Sequence, residues 1–327
     1  MTLTLFGYKN KNGKENAMST DIKEMLEFKR FHPCDGELYG EYFPDGYDRG
    51  CEFSFANLYL WGKQNYRISE DSLLIMSQFG QRTVYPFPIG NGDKVRAVRE
   101  IMRDADARGL VFRMSGISPE AKEMLEREFP STFRFHTDDG SYDYVYAIDD
   151  LAELRGKKYH SKKNHVNRFI EEHEGYAVEE IGEDNLDSVR GFVQEWYRKR
   201  LERDPDGDYT METVALDRAI RHYSELGLIG IALVWDGRIV AITMGNRMTA
   251  DTVDVNFEKA DAEVNGAYAA INYEFARYIR EKYPDVRFLD REEDMGIEGL
   301  RKAKESYRPY RKVKKYWATL LEDENDI

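Results

Sequence analysis

Long apolar runs are missing from this chain. No stretch approaches the roughly 20 consecutive apolar residues that a membrane-spanning helix requires, and the first residues lack the basic, then apolar, then small pattern of a secretory leader. Cysteine is scarce: Cys34 and Cys51 are the only two in 327 residues. That is too few for a disulfide framework, so a reducing, cytoplasmic setting is expected, with both thiols acting as small hydrophobes. Histidine is sparse as well, at six residues. No two stand at helical ligand spacing, since His160 and His165 are five apart, and no metal site is expected. A Gly-x-Ser-x-Gly elbow and a Gly-x-x-x-x-Gly-Lys loop are both absent, which removes the serine-hydrolase and P-loop classes. Net positive charge is lacking too: the sum is −13, which argues against a general nucleic-acid coat.

What is present is one order of elements written twice. In the C-terminal half, an apolar run over 228–235 meets Asp236-Gly237-Arg238, and a second run follows over 239–245. Asp-Gly between apolar runs signals a hairpin, because glycine accepts the positive φ of a tight primed turn. A strand over 252–258, a helix over 267–283, a strand over 286–290, a helix near 297–307 and a strand near 313–320 complete the series. The N-terminal half repeats it, with strands near 65–68, 73–78 and 83–87, a helix over 93–108, a strand over 110–114, a helix from Ser118 and strand-like residues over 133–148. The expected division is a flexible segment 1–20, frayed over 9–16, an α+β unit over 21–150, and a second over 151–327 that bears the active cleft. The boundary is placed at Asp149-Asp150-Leu151, where Asp150 is expected to cap a short helix. Two copies of such a unit ordinarily build a cleft between or within them.

Charge is patchy. Residues 155–168 carry six Lys or Arg and no acidic residue, and residues 301–315 carry eight against Glu305 alone. Two concentrated basic runs on an acidic chain point to a local anionic partner. The first run is expected to form a helix over 157–173 with Val166, Phe169 and Ile170 as a thin apolar stripe, stopped at Gly175.

The element order over 176–320 resembles the GNAT acyltransferase fold. In that fold the fourth strand parts from its neighbour to open a cleft for an activated acyl donor. Usual members hold coenzyme A pyrophosphate on the N–H groups of a Gln/Arg-x-x-Gly-x-Gly/Ala loop at a helix start. The matching segment here is Asp261-Ala262-Glu263-Val264-Asn265-Gly266-Ala267, with Asp261 where a cation or amide belongs, Val264 where Gly belongs, and two carboxylates that would repel a pyrophosphate. That departure counts against coenzyme A.

A closer resemblance is to the stand-alone relatives of the phosphatidylglycerol lysyltransferase C-terminal domain, which are tandem GNAT-like α+β proteins. It rests on Lys157-Lys158-Tyr159-His160-Ser161-Lys162-Lys163-Asn164-His165-Val166-Asn167-Arg168-Phe169, on Arg291 to Lys304 (REEDMGIEGLRKAK) with Ser306-Tyr307-x-Pro309, and on Phe53 to Trp61 (FSFANLYLW). The resemblance implies transfer of an aminoacyl group from charged tRNA to an amine or hydroxyl, on a lipid head-group or a cell-wall precursor, with no bound cofactor.

Such chemistry needs a base near the acceptor proton and a cation or N–H donor where the oxyanion develops. The expected base is Asp294 or Glu293, just past a strand end. Arg301 and Lys304 are the expected stabilisers of negative charge. Glu298, Arg301 and Lys304 fall roughly on one helix face, with Tyr307 three residues on. Asp254 and Asn256 are expected to share one strand face, with Val253, Val255 and Phe257 on the other. Lys158, Lys162, Lys163, Asn164 and Arg168 would meet tRNA phosphates. Two readings stay open beside this one: a coenzyme A-dependent N-acyltransferase taking acetyl-CoA, and a catalytically silent binding protein of the same fold.

Overall fold

A computed structural model of the chain describes residues 25–43 and 50–321; the segment 1–20, with the stretch 9–16, lies outside them. The described residues build two mixed sheets flanked by helices. The first sheet runs Lys29–Arg30, Lys63–Ser69, Ser72–Phe79, Arg82–Pro86, Arg113–Ile117, Tyr316–Leu320, Phe133–His136, with Ile89–Gly90 paired to Ser72–Phe79. The second runs Arg311–Val313, Asp143–Ala147, Phe288–Asp290, Thr252–Ala260, Arg238–Arg247, Leu228–Trp235, Ala177–Glu180. The fold is tandem GNAT-like.

The two copies exchange strands. Asp143–Ala147 comes from the N-terminal half yet pairs with Phe288–Asp290 and Arg311–Val313, while the last strand, Tyr316–Leu320, lies in the first sheet. The stretch 133–148 is therefore two strands, one in each sheet. A cut at Asp149-Asp150-Leu151 would leave each sheet holding a strand of the other half. Asp150 lies inside the helix Ile148–Glu153, whose N-cap is Ala147. It does not cap that helix.

Local chemistry places the hairpin as expected. Trp235 pairs with Arg238 across Asp236 (φ 50) and Gly237 (φ 69), both in the left-handed region a primed turn requires. Further along, Met244 pairs with Phe257 but Asn246 pairs with Asp254, so one residue faces two and the strand Thr252–Ala260 carries a bulge. Gly245 stands opposite, where a Cβ would lie 2.2 Å from the carbonyl oxygen of Asp254. The bulge corrects the expected alternation. Val253 and Val255 pack beneath the helix Ala267–Lys282, whereas Phe257 turns to the other side, against Trp61, on the side of Asp254 and Asn256.

The basic run forms a 3-10 turn at Lys157–Tyr159 and then the helix His160–Glu172. Val166 and Phe169 are buried, but Ile170 is exposed, so the apolar stripe is thinner still.

Candidate functional site

The site begins where two parallel strands part. Thr252, Val253 and Asp254 pair with Phe288, Leu289 and Asp290, and residues 255–260 continue without that partner. Phe288–Asp290 ends there, and Arg291, Glu292, Glu293 and Asp294 follow at once. Glu292 and Met295 hold left-handed backbone (φ 56 and 52), a conformation that costs a non-glycine residue free energy and needs support from its surroundings.

The helix Glu298–Glu305 supplies that support. Lys304 donates to the carbonyl oxygens of Arg291 (2.5 Å), Glu292 (3.0 Å) and Glu293 (2.6 Å). Arg301 grips Asp294 through two bonds of 2.7 and 3.1 Å, and Asp294 also accepts from the Tyr144 hydroxyl (2.7 Å) and the Gly296 N–H (2.8 Å). The Arg301 bonds hold the Asp294 carboxyl well below the usual carboxylate range. A fully buried carboxylate with four donors is a clamp and a poor proton acceptor. In this geometry Asp294, Arg301 and Lys304 support the loop. Glu298 is exposed and paired with Lys302, so it stands off the face that Lys304 buries.

Arg291 and Glu292 turn their side chains to opposite sides of the parted strands. On one side, Glu292 Oε1 accepts from Asn57 Nδ2 at 2.8 Å. The same amide lies 3.3 Å from Asp254 Oδ2, which also accepts from Asn256 Nδ2 at 3.0 Å. Burial first, then the charges of Asp143 and Glu293, push the Glu292 carboxyl up to about 7. Burial and the Glu292 and Asp290 charges push Asp254 up as well. Asp254 and Asn256 do share a face, but that face is covered by Asn57 on the helix Phe55–Leu60 of the first copy. Beside them sits a buried cage: the Lys315 ammonium meets Glu52 (2.9 Å), Asp143 (2.9 Å), Glu293 (3.2 Å) and the Cys51 sulfur (3.8 Å). Cys51, Asp143 and Glu293 lie close enough together to hold a metal ion, but the ammonium already balances their charge.

On the other side, Arg291 Nη2 donates to Glu258 Oε1 at 2.8 Å, and its guanidinium lies over the rings of Tyr307 (5.1 Å) and Tyr146 (5.8 Å). Lys162 reaches in from the basic helix, its ammonium 4.3 Å from the Tyr307 ring centre. Burial and the Arg291 charge lower its pKa. Lys163, Asn164 and Arg168 point outward and are exposed, and Lys158 pairs with Asp150 at 3.2 Å. The cationic helix therefore forms one wall of the split and presents its remaining charge to solvent.

The same helix closes the place where GNAT proteins hold pyrophosphate. A Cβ at Gly266 would stand 2.6 Å from the His165 carbonyl oxygen and 3.0 Å from Phe169 Cβ. Asp261 and Glu263 are engaged by Lys199 at 3.1 and 2.9 Å. A cavity of about 750 Å³ lies beyond them, bounded by Phe192, Trp196, Lys199, Arg238, Asp261 and Tyr268.

Sequence reasoning missed Glu292, Asn57, Asp143 and Lys315. Glu292 was open to discovery, since it heads the acidic run 292–294, two residues past the strand end at Asp290. Asn57 comes from the helix Phe55–Leu60 of the first copy and Asp143 from the exchanged strand Asp143–Ala147, and no local pattern announces either approach.

A parallel pair parted at the centre of a duplicated α+β fold defines the tandem GNAT-like acyltransferase class. The chain is similar, at TM-score 0.84 and 36% identity, to a conserved protein of unknown function from Bacteroides thetaiotaomicron, over 90% of this chain and 100% of that one. It shares its fold with L-PGS from Bacillus licheniformis at TM-score 0.66 and 19% identity, over 89% and 92% of the two chains. Residues 46–319 match the model of the family described as phosphatidylglycerol lysyltransferase, C-terminal, and the chain belongs to that family. Family and fold make it an acyltransferase of the GNAT-like type, related to lysyl-phosphatidylglycerol synthase. It is also 26% identical over 189 residues to an uncharacterized protein of Mycoplasmoides gallisepticum; that match spans 58% of the relative's length and 56% of this chain. Among the described residues, no helix is long and apolar enough to cross a membrane.

Proposed function

We propose that the chain transfers an aminoacyl group from charged tRNA to an amine or hydroxyl on a lipid head-group or cell-wall precursor. One observation carries this reading: the split between the strands has two unlike sides, a cationic side at Lys162 and Arg291 and a carboxylate side at Glu292 and Asp254. The donor enters from the basic helix, where Lys158, Lys163 and Arg168 meet phosphates and Lys162 follows the strand end inward. The acceptor enters from the carboxylate side. Its hydroxyl or amine attacks the ester carbonyl and gives its proton to Glu292. The new ester or amide bond forms as the bond to the terminal ribose oxygen breaks, and that oxygen leaves with a proton. An aminoacyl ester is already activated, so no enzyme nucleophile is required. A carboxyl with pKa near 7 is matched to general-base work at neutral pH. Glu293 and Asp294 then support the loop, and Glu292 takes the role first expected of them.

Acetyl-CoA as donor is the second reading, and the cavity beside Asp261 is the observation that favours it. The carboxylates of Asp261 and Glu263 and the closed approach at Gly266 oppose it.

The test is transfer of radiolabelled amino acid from bulk charged tRNA to a lipid and cell-wall precursor extract. Glu292→Gln is expected to lower turnover by about two to four powers of ten, and wild-type turnover should rise with pH through about 7 as the carboxyl loses its proton. Unchanged turnover in that variant removes Glu292 from the mechanism.

A further inference from the structure

The carboxylate side of the split is assembled from both copies of the fold, and one amide joins them. Asn57 is 6% exposed, on the helix Phe55–Leu60, where its backbone N–H donates to the Ser54 hydroxyl at 3.5 Å. Its side chain stands between two unlike sets of groups. Around Nδ2 are three acceptors: Glu292 Oε1 at 2.8 Å, the Cys51 carbonyl oxygen at 3.2 Å and Asp254 Oδ2 at 3.3 Å. Around Oδ1 are two donors, the Trp61 indole N–H at 3.0 Å and Asn256 Nδ2 at 3.3 Å. Turning the amide over would set its oxygen against three oxygens and its hydrogens against two donors. The network therefore fixes the orientation. Trp61 is held in turn by Phe257, their ring centres 6.0 Å apart.

We propose that Asn57 is a positioning residue for Glu292: locked by Trp61, it pins Oε1 and leaves Oε2 as the oxygen that meets the acceptor, so the first copy aims the base of the second. This rests on the reading of Glu292 as the base and goes beyond it by assigning what holds that base. The surroundings of Glu292 show why a donor is needed there. Asp254 and Asp290 face it from the parted strands, Asp143 and Cys51 from the first copy, and Glu293 lies beside it. Lys304 supplies the opposing charge, but its ammonium donates to three backbone carbonyls. Among the described residues, Asn57 alone donates a hydrogen bond to the Glu292 carboxylate. A hydrogen bond to the ionised form favours that form, so the amide opposes the surrounding acids and keeps the base usable. Glu292 itself is half-buried, which leaves it within reach of an incoming group. Asn57 touches no reacting atom and acts only through Glu292.

The first experiment needs no substrate. The chain has four tryptophans, so nitrogen-15 indole labelling of the full chain gives four signals, and Trp61→Phe identifies the one of interest. In wild type the Trp61 indole signal should shift with pH about a midpoint near 7, because Asn57 carries the ionisation of Glu292 to it. Glu292→Gln should flatten that titration and thereby separate it from Asp254, which touches the same amide. Asn57→Leu should flatten it too. In the transfer assay Asn57→Leu should lower saturated turnover about tenfold or more, leave KM for charged tRNA nearly unchanged, and move the pH profile upward. A Trp61 signal that ignores pH, or that titrates alike in Asn57→Leu, overturns the assignment, as does a wild-type pH profile in that variant. Should Asn57→Leu not fold, Glu292→Gln decides, since a Trp61 titration that survives without the carboxylate rules the contact out. A Trp61 titration that follows Glu292, in a protein that transfers nothing from any charged tRNA, would keep the positioning role and discard the donor reading.

Discussion

The two copies of the fold solve the same parallel junction in opposite ways. In the first sheet, Tyr85 pairs with Met114 and Pro86 with Ser115, and the Phe87 N–H still donates to Ser115, so those strands stay together to their end. Tyr85 stacks on Phe112 with ring centres 6.0 Å apart, and Phe112 meets Phe133 at the same distance. In the second sheet the strands part after Asp254 and Asp290, and Arg291, Glu258, Asn272 and Lys162 stand in the gap. A duplicated junction can be sealed with aromatic rings, as the first copy proves. Charged and amide groups at the second therefore mark a junction kept open at the expense of stability, which is a signature of use. The first copy lends the site side chains from its outside, among them Asn57, Asp143 and Tyr144.

The largest effect expected from this contrast is at the sealed junction. Phe112→Ala should destabilise folding by roughly 3–5 kcal/mol, read by denaturant unfolding, while turnover per folded molecule stays at the wild-type level. Equal losses of stability and intrinsic turnover would show that the first copy takes part in catalysis. The open junction should behave oppositely in Glu292→Gln. Glu292 has a folded pKa near 7, above its ordinary value of 4.5. Between those values the unfolded chain releases a proton that the folded chain keeps, so stability falls as pH rises across that window and levels off above it. At about 1.4 kcal/mol per unit, the variant should recover up to about 3 kcal/mol at pH 8 and nothing at pH 4. A variant whose unfolding curve tracks wild type at every pH would mean that Glu292 ionises normally and is no tuned base.

Much of this was legible in the chain. The Asp236-Gly237 turn, the long helix after residue 266 and the strand ending at Asp290 follow from turn chemistry and periodicity, which are local. The charged run at 291–304 was legible as important, but its roles were not. Which of three consecutive acids is tuned depends on the partner each one finds. Asp294 finds Arg301 and Tyr144, Glu293 finds Lys315, and Glu292 finds an amide and other carboxylates, which together with burial outweigh the Lys304 charge. Arg301 and Lys315 lie 7 and 22 positions on, but Tyr144 arrives from the exchanged strand Asp143–Ala147 and Asn57 from 235 positions away. The side on which Phe257 lies was likewise hidden, since a one-residue bulge reverses alternation without any mark beyond the small residue at Gly245.

The smallest expected effect separates neighbours on the basic helix. Lys163 is exposed, whereas Lys162 turns into the split over Tyr307. If the outer face holds phosphates and the inner residue serves the aminoacyl end, single substitutions should divide these functions. Lys163→Ala should reduce the salt dependence of tRNA binding by about one counterion, a change of roughly 0.7–0.9 in the logarithmic slope, and leave turnover at saturating tRNA unaltered. Lys162→Ala should leave that slope nearly intact and lower saturated turnover several-fold. Should both variants shift the slope alike with no change in turnover, the helix is a uniform anion-binding face, and the inward reach of Lys162 is ordinary packing against an aromatic ring.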